Sequence, residues 1–373
     1  MKRGRILVFL TVLLALTPLS PLSPAAAFGE SRNLGGAVYA MSNSPEGNEI
    51  VVFERNVFGR LTLGQAYATG GIGSGGSIDP LGSQGSLVLS ANNRWLFAVN
   101  AGSNDISVFR VRPHTLKLIG TYDSGGAFPT SLTFYHNLLY VLNAGQETIA
   151  PNITGFKINR RGKLSPVAGS TRILPGGGFH QVGFSPHGDE LIVTRGGADA
   201  DALLVYAVDE EGLPDSTPTI TPSVGLVPFG FIFDRLGHLL VSEAGSGAVS
   251  SYAIENDLTL RVINASVANG NIATCWIAGT WFGTVFTANT GSDDISSYRT
   301  RPPFGTLQVK EAAAGFGNKP IDMATTASGR YLYVLNAADG TVGAFRISFR
   351  GKLIDLGAVA GLPLTFAQGI AVR

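Results

Sequence analysis

Apolar residues in this chain fall into short, nearly unbroken runs, each closed by one polar side chain: WLFAVN (95–100), LLYVLN (138–143), ELIVTR (190–195), HLLVSE (238–243), TVFTAN (284–289) and YLYVLN (331–336). Runs this short, rich in β-branched and aromatic residues, predict strands buried on both faces. A first strand precedes each run: SLVLS (86–90), SLTFY (131–135), QVGFS (181–185), FGFIF (229–233), CWIAG (275–279) and IDMAT (321–325). A Gly-containing turn and a third strand such as ISVFRV, VSSYAI or VGAFRI follow it, and a weaker fourth strand comes after GKL at 162–164 and 351–353.

The unit repeats. The polar residue closing each second strand stands at Asn43, Asn100, Asn143, Arg195, Glu243, Asn289 and Asn336, with spacings such as 46 and 47 residues near the end and 52 where the turn is longest. Seven units of four short antiparallel strands at this period predict an all-β, seven-bladed β-propeller. A sandwich has no such period, and a solenoid needs two atypical caps. Here the ends are complementary instead. The chain opens on a second strand, GAVYAMSN (36–43), and finishes on a first strand, QGIAVR (368–373), so the C-terminal strand is expected to complete the N-terminal blade and close the ring.

Ahead of the repeats, Lys2, Arg3 and Arg5 precede an apolar run, ILVFLTVLLAL (6–16), and the small-residue stretch SPAAAFGE (23–30). That is the grammar of a signal peptide, with cleavage expected after Ala27, and the run is short for a membrane span. The expected organisation is therefore a leader over 1–27 and one propeller domain over 28–373, secreted or periplasmic, with no membrane insertion after cleavage. Removing three basic residues with the leader leaves 24 basic against 26 acidic side chains, a net charge of about −2. With no Lys/Arg-rich run, nucleic acid is not an expected partner. Cys275 is the one cysteine, so neither an intrachain disulfide nor a cysteine metal site is available. No cofactor or metal is called for, and a monomer is expected.

Propeller topology brings the end of every second strand and the start of every first strand to one face, around the axial mouth. Five of the seven closing residues are Asn, which caps its own turn well. Arg195 and Glu243 depart from the pattern on consecutive blades, and His180 starts a first strand nearby. Such a trio suits ester chemistry, with Glu243 activating water and Arg195 and His180 stabilising the oxyanion or binding a carboxylate. The bland alternative is an Arg195–Glu243 salt bridge tying two blades. Trp276, Asn289, Asp322 and Lys319 lie on the same face and are expected to line the substrate site. Cys275 reads as a buried filler. GGIGSGG (70–76) has neither the following helix nor the Lys of a phosphate cradle.

The phrases FSPHGDELIVTRGGAD (184–199), FIFDRLGHLLVSEAGSGAVSSY (231–252) and GRYLYVLNAADGTVGAFRI (329–347) resemble the seven-bladed lactonase family, which includes 6-phosphogluconolactonase and 3-carboxymuconate cyclase type enzymes. YVTN-type surface-layer propellers are near relatives. The resemblance spans the mature chain and implies hydrolysis of a small lactone by His, Arg and Glu side chains at the mouth, for which His180, Arg195 and Glu243 are the candidates. A cycloisomerase is a weaker option in the same class. An exported, non-catalytic propeller that binds a protein or glycan is the alternative from a different class.

Overall fold

The structure is a computed structural model that describes Met1 and residues 34–373, apart from 198, 199 and 302. The expected leader and its cleavage site lie outside the described residues.

The strand-period pattern folds into seven antiparallel sheets arranged around an axis. Blade 1 is formed, from the axis outwards, by Ile370–Val372, Leu34–Met41, Glu49–Asn56 and Leu61–Ala68. Blades 2 to 7 follow in chain order, their innermost strands being Leu87–Leu89, Pro129–Tyr135, Phe179–Phe184, Pro228–Phe233, Thr274–Gly279 and Pro320–Thr325. Blade 3 carries a fifth short strand, Arg172–Ile173, beside Asn152–Ile158. Closure occurs as the complementary ends predict. Val38, Tyr39 and Ala40 pair with Val372, Ala371 and Ile370, and the Arg55 guanidinium donates to the carbonyl of Arg373 at 2.9 Å.

Burial follows position in the blade. Second strands such as Trp95–Asn100 and Leu138–Asn143 are buried along their whole length, because a neighbouring blade covers each face. Outer strands such as Leu116–Asp123 alternate and are mostly exposed. Two tyrosines stitch adjacent blades through their hydroxyls: Tyr140 of blade 3 donates to the Gly212 carbonyl of blade 4 (2.7 Å), and Tyr333 of blade 7 donates to Gly59 of blade 1 (2.9 Å). Each such ring, fully buried, contributes on the order of 2 kcal/mol from area alone.

Candidate active site at the axial mouth

The connector from blade 1 to blade 2 runs from Thr69 to Ser86 and is long enough to reach into the mouth. Its tip is the turn Asp79-Pro80-Leu81-Gly82, closed by Gly82 N–H donating to the Asp79 carbonyl at 3.2 Å. The residues after it fill the axis. Gln84 makes a two-point bond to Ile277 of blade 6 through both its amide atoms (3.1 and 2.9 Å). Trp276 Nε1 donates to the Ser83 carbonyl (3.0 Å), and Ser83 Oγ donates to Thr130 of blade 3 (2.8 Å). Gln84 N–H donates to the His180 carbonyl of blade 4, and Gln368 of the closing strand bonds Asp79, Leu81 and Ser83. The central opening is therefore plugged, and what remains of the mouth surrounds this turn.

Asp79 is the titratable group at the plug. It lies deep among protein atoms yet keeps part of its surface in contact with solvent. Desolvation is the main cause that pushes its carboxyl up to about 8; hydrogen bonds from Gln368, Ser83 and Gly82 oppose it, and Asp322 adds to it. Asp322 is enclosed, its two oxygens accepting from Met323 N–H (2.9 Å) and Ile370 N–H (3.2 Å), and burial pushes it up to about 7. It thus ties blade 7 to the closing strand. His180 flanks the same turn from blade 4. Its Nδ1 lies 2.6 Å from the Gly82 carbonyl and its Nε2 3.2 Å from that of Gly196. Burial holds its basicity below that of a free imidazole. A neutral ring can donate to only one of these carbonyls, and the shorter contact assigns that proton to Nδ1. The ring stacks on Phe229 at 4.5 Å, and Phe229 meets Trp276 edge-on at 5.1 Å, giving an aromatic arc across blades 4, 5 and 6.

The other expected site residues are dispersed. Arg195 is on the blade 4 rim, its guanidinium donating to Ala200 (2.9 Å) and Pro175 (2.8 Å) carbonyls, and the backbone of the next residue meets His180. Glu243 is fully buried and accepts from the Ser250 hydroxyl and from Ser266 Oγ at 2.5 Å. Desolvation raises its pKa. It forms no ion pair with Arg195, so the salt bridge considered from sequence is absent. The structure places His180 and Arg195 on paired strands of blade 4, the Arg195 guanidinium held by Ala200 and Pro175 and not by His180, and leaves Glu243 inside its own hairpin. Asn289 is likewise enclosed, donating to Asp294 (2.6 Å) and Ser296 (2.7 Å). Trp276 is fully buried against the plug, and Lys319 reaches solvent beside Asp293 (3.2 Å). Cys275 is buried, and desolvation drives its thiol pKa far up, which removes it as a nucleophile at neutral pH. Sequence reasoning passed over Asp79. Its signal was the 57-residue interval from Asn43 to Asn100, longer than any other between closing residues.

Seven blades, six of four strands and one of five, a tail strand latched into the first blade and polar groups gathered at a plugged mouth define a β-propeller of the lactonase kind. The family model described as "Lactonase, 7-bladed beta-propeller" matches residues 38–176 and 176–363, and the chain belongs to that family. Solved structures share the fold at low identity. The periplasmic gluconolactonase of Pseudomonas aeruginosa is 19% identical with a TM-score of 0.69, covering 90% of this chain and 98% of its own. A candidate 6-phosphogluconolactonase from Bacteroides fragilis is 18% identical with a TM-score of 0.67, covering 91% and 98%. A Lactobacillus plantarum protein is 16% identical with a TM-score of 0.70, covering 90% and 98%. No curated protein matches the chain.

Proposed function

We propose that this protein is an exported lactonase that opens a small lactone ring at the axial mouth. Family membership supports the reaction class, and the observation that carries the site is the Asp79–Gly82 turn: a half-buried aspartate with a desolvated carboxyl and the ring of His180 meet on one turn at the bottom of the mouth. Asp79, as carboxylate, takes a proton from water. The oxygen attacks the lactone carbonyl, the tetrahedral oxyanion collapses, and the ring C–O bond breaks, with the proton passing to the departing alkoxide to give a hydroxy acid. Arg195 supplies positive charge on the rim for the oxyanion or the product carboxylate. His180 is a positioning residue that fixes the turn. Trp276 shapes the floor from beneath the plug, Asp322 raises the Asp79 pKa, and Lys319 offers a second cation on the mouth side. Asn289 and Glu243 hold hairpins beneath the rim. The basic-apolar leader supports export after cleavage at Ala27, and the periplasmic location of the Pseudomonas aeruginosa enzyme is consistent with it.

One observation favours the binding alternative: the plug closes the axis and Glu243 does not open into the mouth, so fewer groups converge there than sequence implies. A panel of small aliphatic and sugar lactones, offered to the wild-type protein and to Asp79→Asn, separates the readings. Turnover that the variant loses supports the enzyme; no turnover on any lactone leaves the binding protein.

A further inference from the structure

The face opposite the mouth is divided. Its turns join first to second and third to fourth strands. On blades 6, 7 and 1 they carry large apolar tips in water: Trp281 is 65% exposed, Phe304 70%, Phe349 94% and Phe58 72%. Among the described residues of blades 2, 3 and 4, no large apolar side chain is exposed on the corresponding turns. Trp281 Nε1 donates to the Ser328 carbonyl of blade 7 (3.2 Å) and so ties two blades, yet its ring, like those of Phe58, Phe304 and Phe349, stands in water, and exposed aromatic rings gathered on one sector mark an interaction surface.

The tips stand among cations. Arg60, Arg301, Arg330, Arg346, Arg350 and Lys352 are exposed on or beside the same turns. The segments 57–60, 280–283, 301–305, 326–330 and 346–352 contain no Asp or Glu. Arg301 donates to Gln308 Oε1 (2.8 Å) and Arg60 to the Leu356 carbonyl (3.3 Å), both neutral partners. Asp234 of blade 5 borders Trp281 but is paired with His238 (2.8 Å), and Glu54 and Asp355 lie within strands. Across the ring, the blade 4 turns are acidic, with Asp189, Glu190, Asp209, Glu210 and Glu211. The exposed aromatic tips are thus confined to one edge; the cations run on through blades 2 and 3, with Arg112, Arg160, Arg161 and Lys163 exposed on the corresponding turns, and the anionic groups gather at blade 4. The polypeptide enters the propeller on the same side, at Leu34 of blade 1.

We propose that the underside of blades 6, 7 and 1 docks onto an anionic lipid bilayer. Aromatic tips sit at the headgroup level, where a ring finds apolar contact without full dehydration of its neighbours. Arginine and lysine are drawn to the negative surface potential while their stems lie along the apolar boundary. The acidic edge at blade 4 is repelled, which tilts the disc and keeps the mouth facing the aqueous phase. This inference is independent of whether the mouth is catalytic.

Tryptophan fluorescence tests it on the full chain. Trp95 and Trp276 are buried and Trp281 is exposed, so a blue shift on lipid reports Trp281. Phosphatidylcholine vesicles containing phosphatidylglycerol are expected to shift the emission at low salt; pure phosphatidylcholine vesicles and high salt are not. Phe58→Ser/Phe304→Ser/Phe349→Ser and, separately, Arg350→Glu/Lys352→Glu are each expected to weaken partitioning about tenfold or more. Glu210→Gln/Glu211→Gln serves as the control and leaves binding no weaker. The N-terminal segment is the same in every variant, so binding that it alone drives is not weakened by the Phe or Arg/Lys substitutions. The absence of a shift on anionic vesicles overturns the proposal. So does a shift that neither multiple variant weakens. If only the charge variant weakens binding and soluble poly-aspartate competes equally well, the face binds an acidic macromolecule and the bilayer is excluded.

Discussion

Two acidic residues in this molecule have desolvated carboxyls with raised pKa values, yet Glu243 is fully enclosed while Asp79 is only half-buried. Glu243 occupies, in blade 5, the place that Asn100 and Asn289 occupy in blades 2 and 6. Asn100 donates to Asp105 (2.5 Å) and Ser107 (2.8 Å), five and seven residues on; Asn289 donates to Asp294 and Ser296 at the same offsets. In blade 5 the fifth residue on is Ala248 and the seventh is Ser250, which now donates to Glu243. The negative charge has moved from the third strand to the second, and the serine hydroxyl has reversed direction to follow it. A glycine of the incoming connector lies against Asn100 and another against Glu243. A Cβ on Gly71 would stand 2.4 Å from Asn100 Cγ, and one on Gly225 would stand 2.0 Å from Glu243 Cδ. Glu243 is part of the hairpin. Asp79, by contrast, is held on a turn that no other blade possesses, with solvent on one side.

The largest expected effect separates these two roles in activity. Asp79→Asn lowers kcat/KM on a responsive lactone by about two to four orders of magnitude, the range of a positioned general base. Glu243→Gln leaves kcat/KM within about threefold, because its serines can accept from an amide as Ser107 and Ser296 do. The wild-type rate should climb with pH, reach half its plateau near 8, where Asp79 is half ionised, and level off about one unit above it. Equal losses in both variants would erase the distinction.

Stability provides the next contrast. Glu243→Ala strands the Ser250 and Ser266 hydroxyls and opens a cavity, at a cost of about 3 kcal/mol in chemical denaturation. Gly225→Ala forces the carboxylate from the same serines and costs about 2 kcal/mol. The double variant should cost clearly less than the two losses added, since the methyl group then enters the space that the carboxylate vacates. Strict additivity would mean that the two do not share a site.

The blades and their closure were legible because a repeated period reports backbone pairing directly, whatever the side chains do. Asp322 and Trp276 were correctly placed on inner strands for the same reason. Their solvent access was not legible. A closing residue at the end of a second strand points either to the mouth or into its own hairpin, and the residues that decide it, Ser250 and Ser266 for Glu243, lie on other strands. Asp79 was hidden differently. DPLG reads as a surface turn, and only the excess length of its connector hints that the turn is carried to the axis.

The pH dependence of folding sharpens the axial half of the contrast. Asp79 and Asp322 have raised carboxyl pKa values in the folded protein, so between about 4 and about 7 to 8 the native state binds protons that the unfolded chain releases. Their contribution is full below about 4 and is lost as pH rises through that window, at about 1.4 kcal/mol per pH unit for each group. Asp322→Asn should flatten this slope, measured by denaturant midpoints across the range; an unchanged slope would place the protons elsewhere.

The smallest expected effect is the most exacting for blade 5. Glu243→Asn/Ala248→Asp installs there the pair that Asn289 and Asp294 form in blade 6, where the strand register places the two residues opposite each other just as Glu243 faces Ala248. Ala248→Asp alone sets a second carboxylate against a buried one and should destabilise by several kcal/mol. Glu243→Asn alone loses the acceptor for Ser266. Together they restore one negative charge, one amide donor and a serine that can turn back to accept, and the double variant should fall within about 1 kcal/mol of wild type. Thermal and denaturant unfolding of the three proteins would measure that recovery. A double variant as unstable as Ala248→Asp would show that blade 5 needs its charge on the second strand, which would return Glu243 to consideration as more than a hairpin tie.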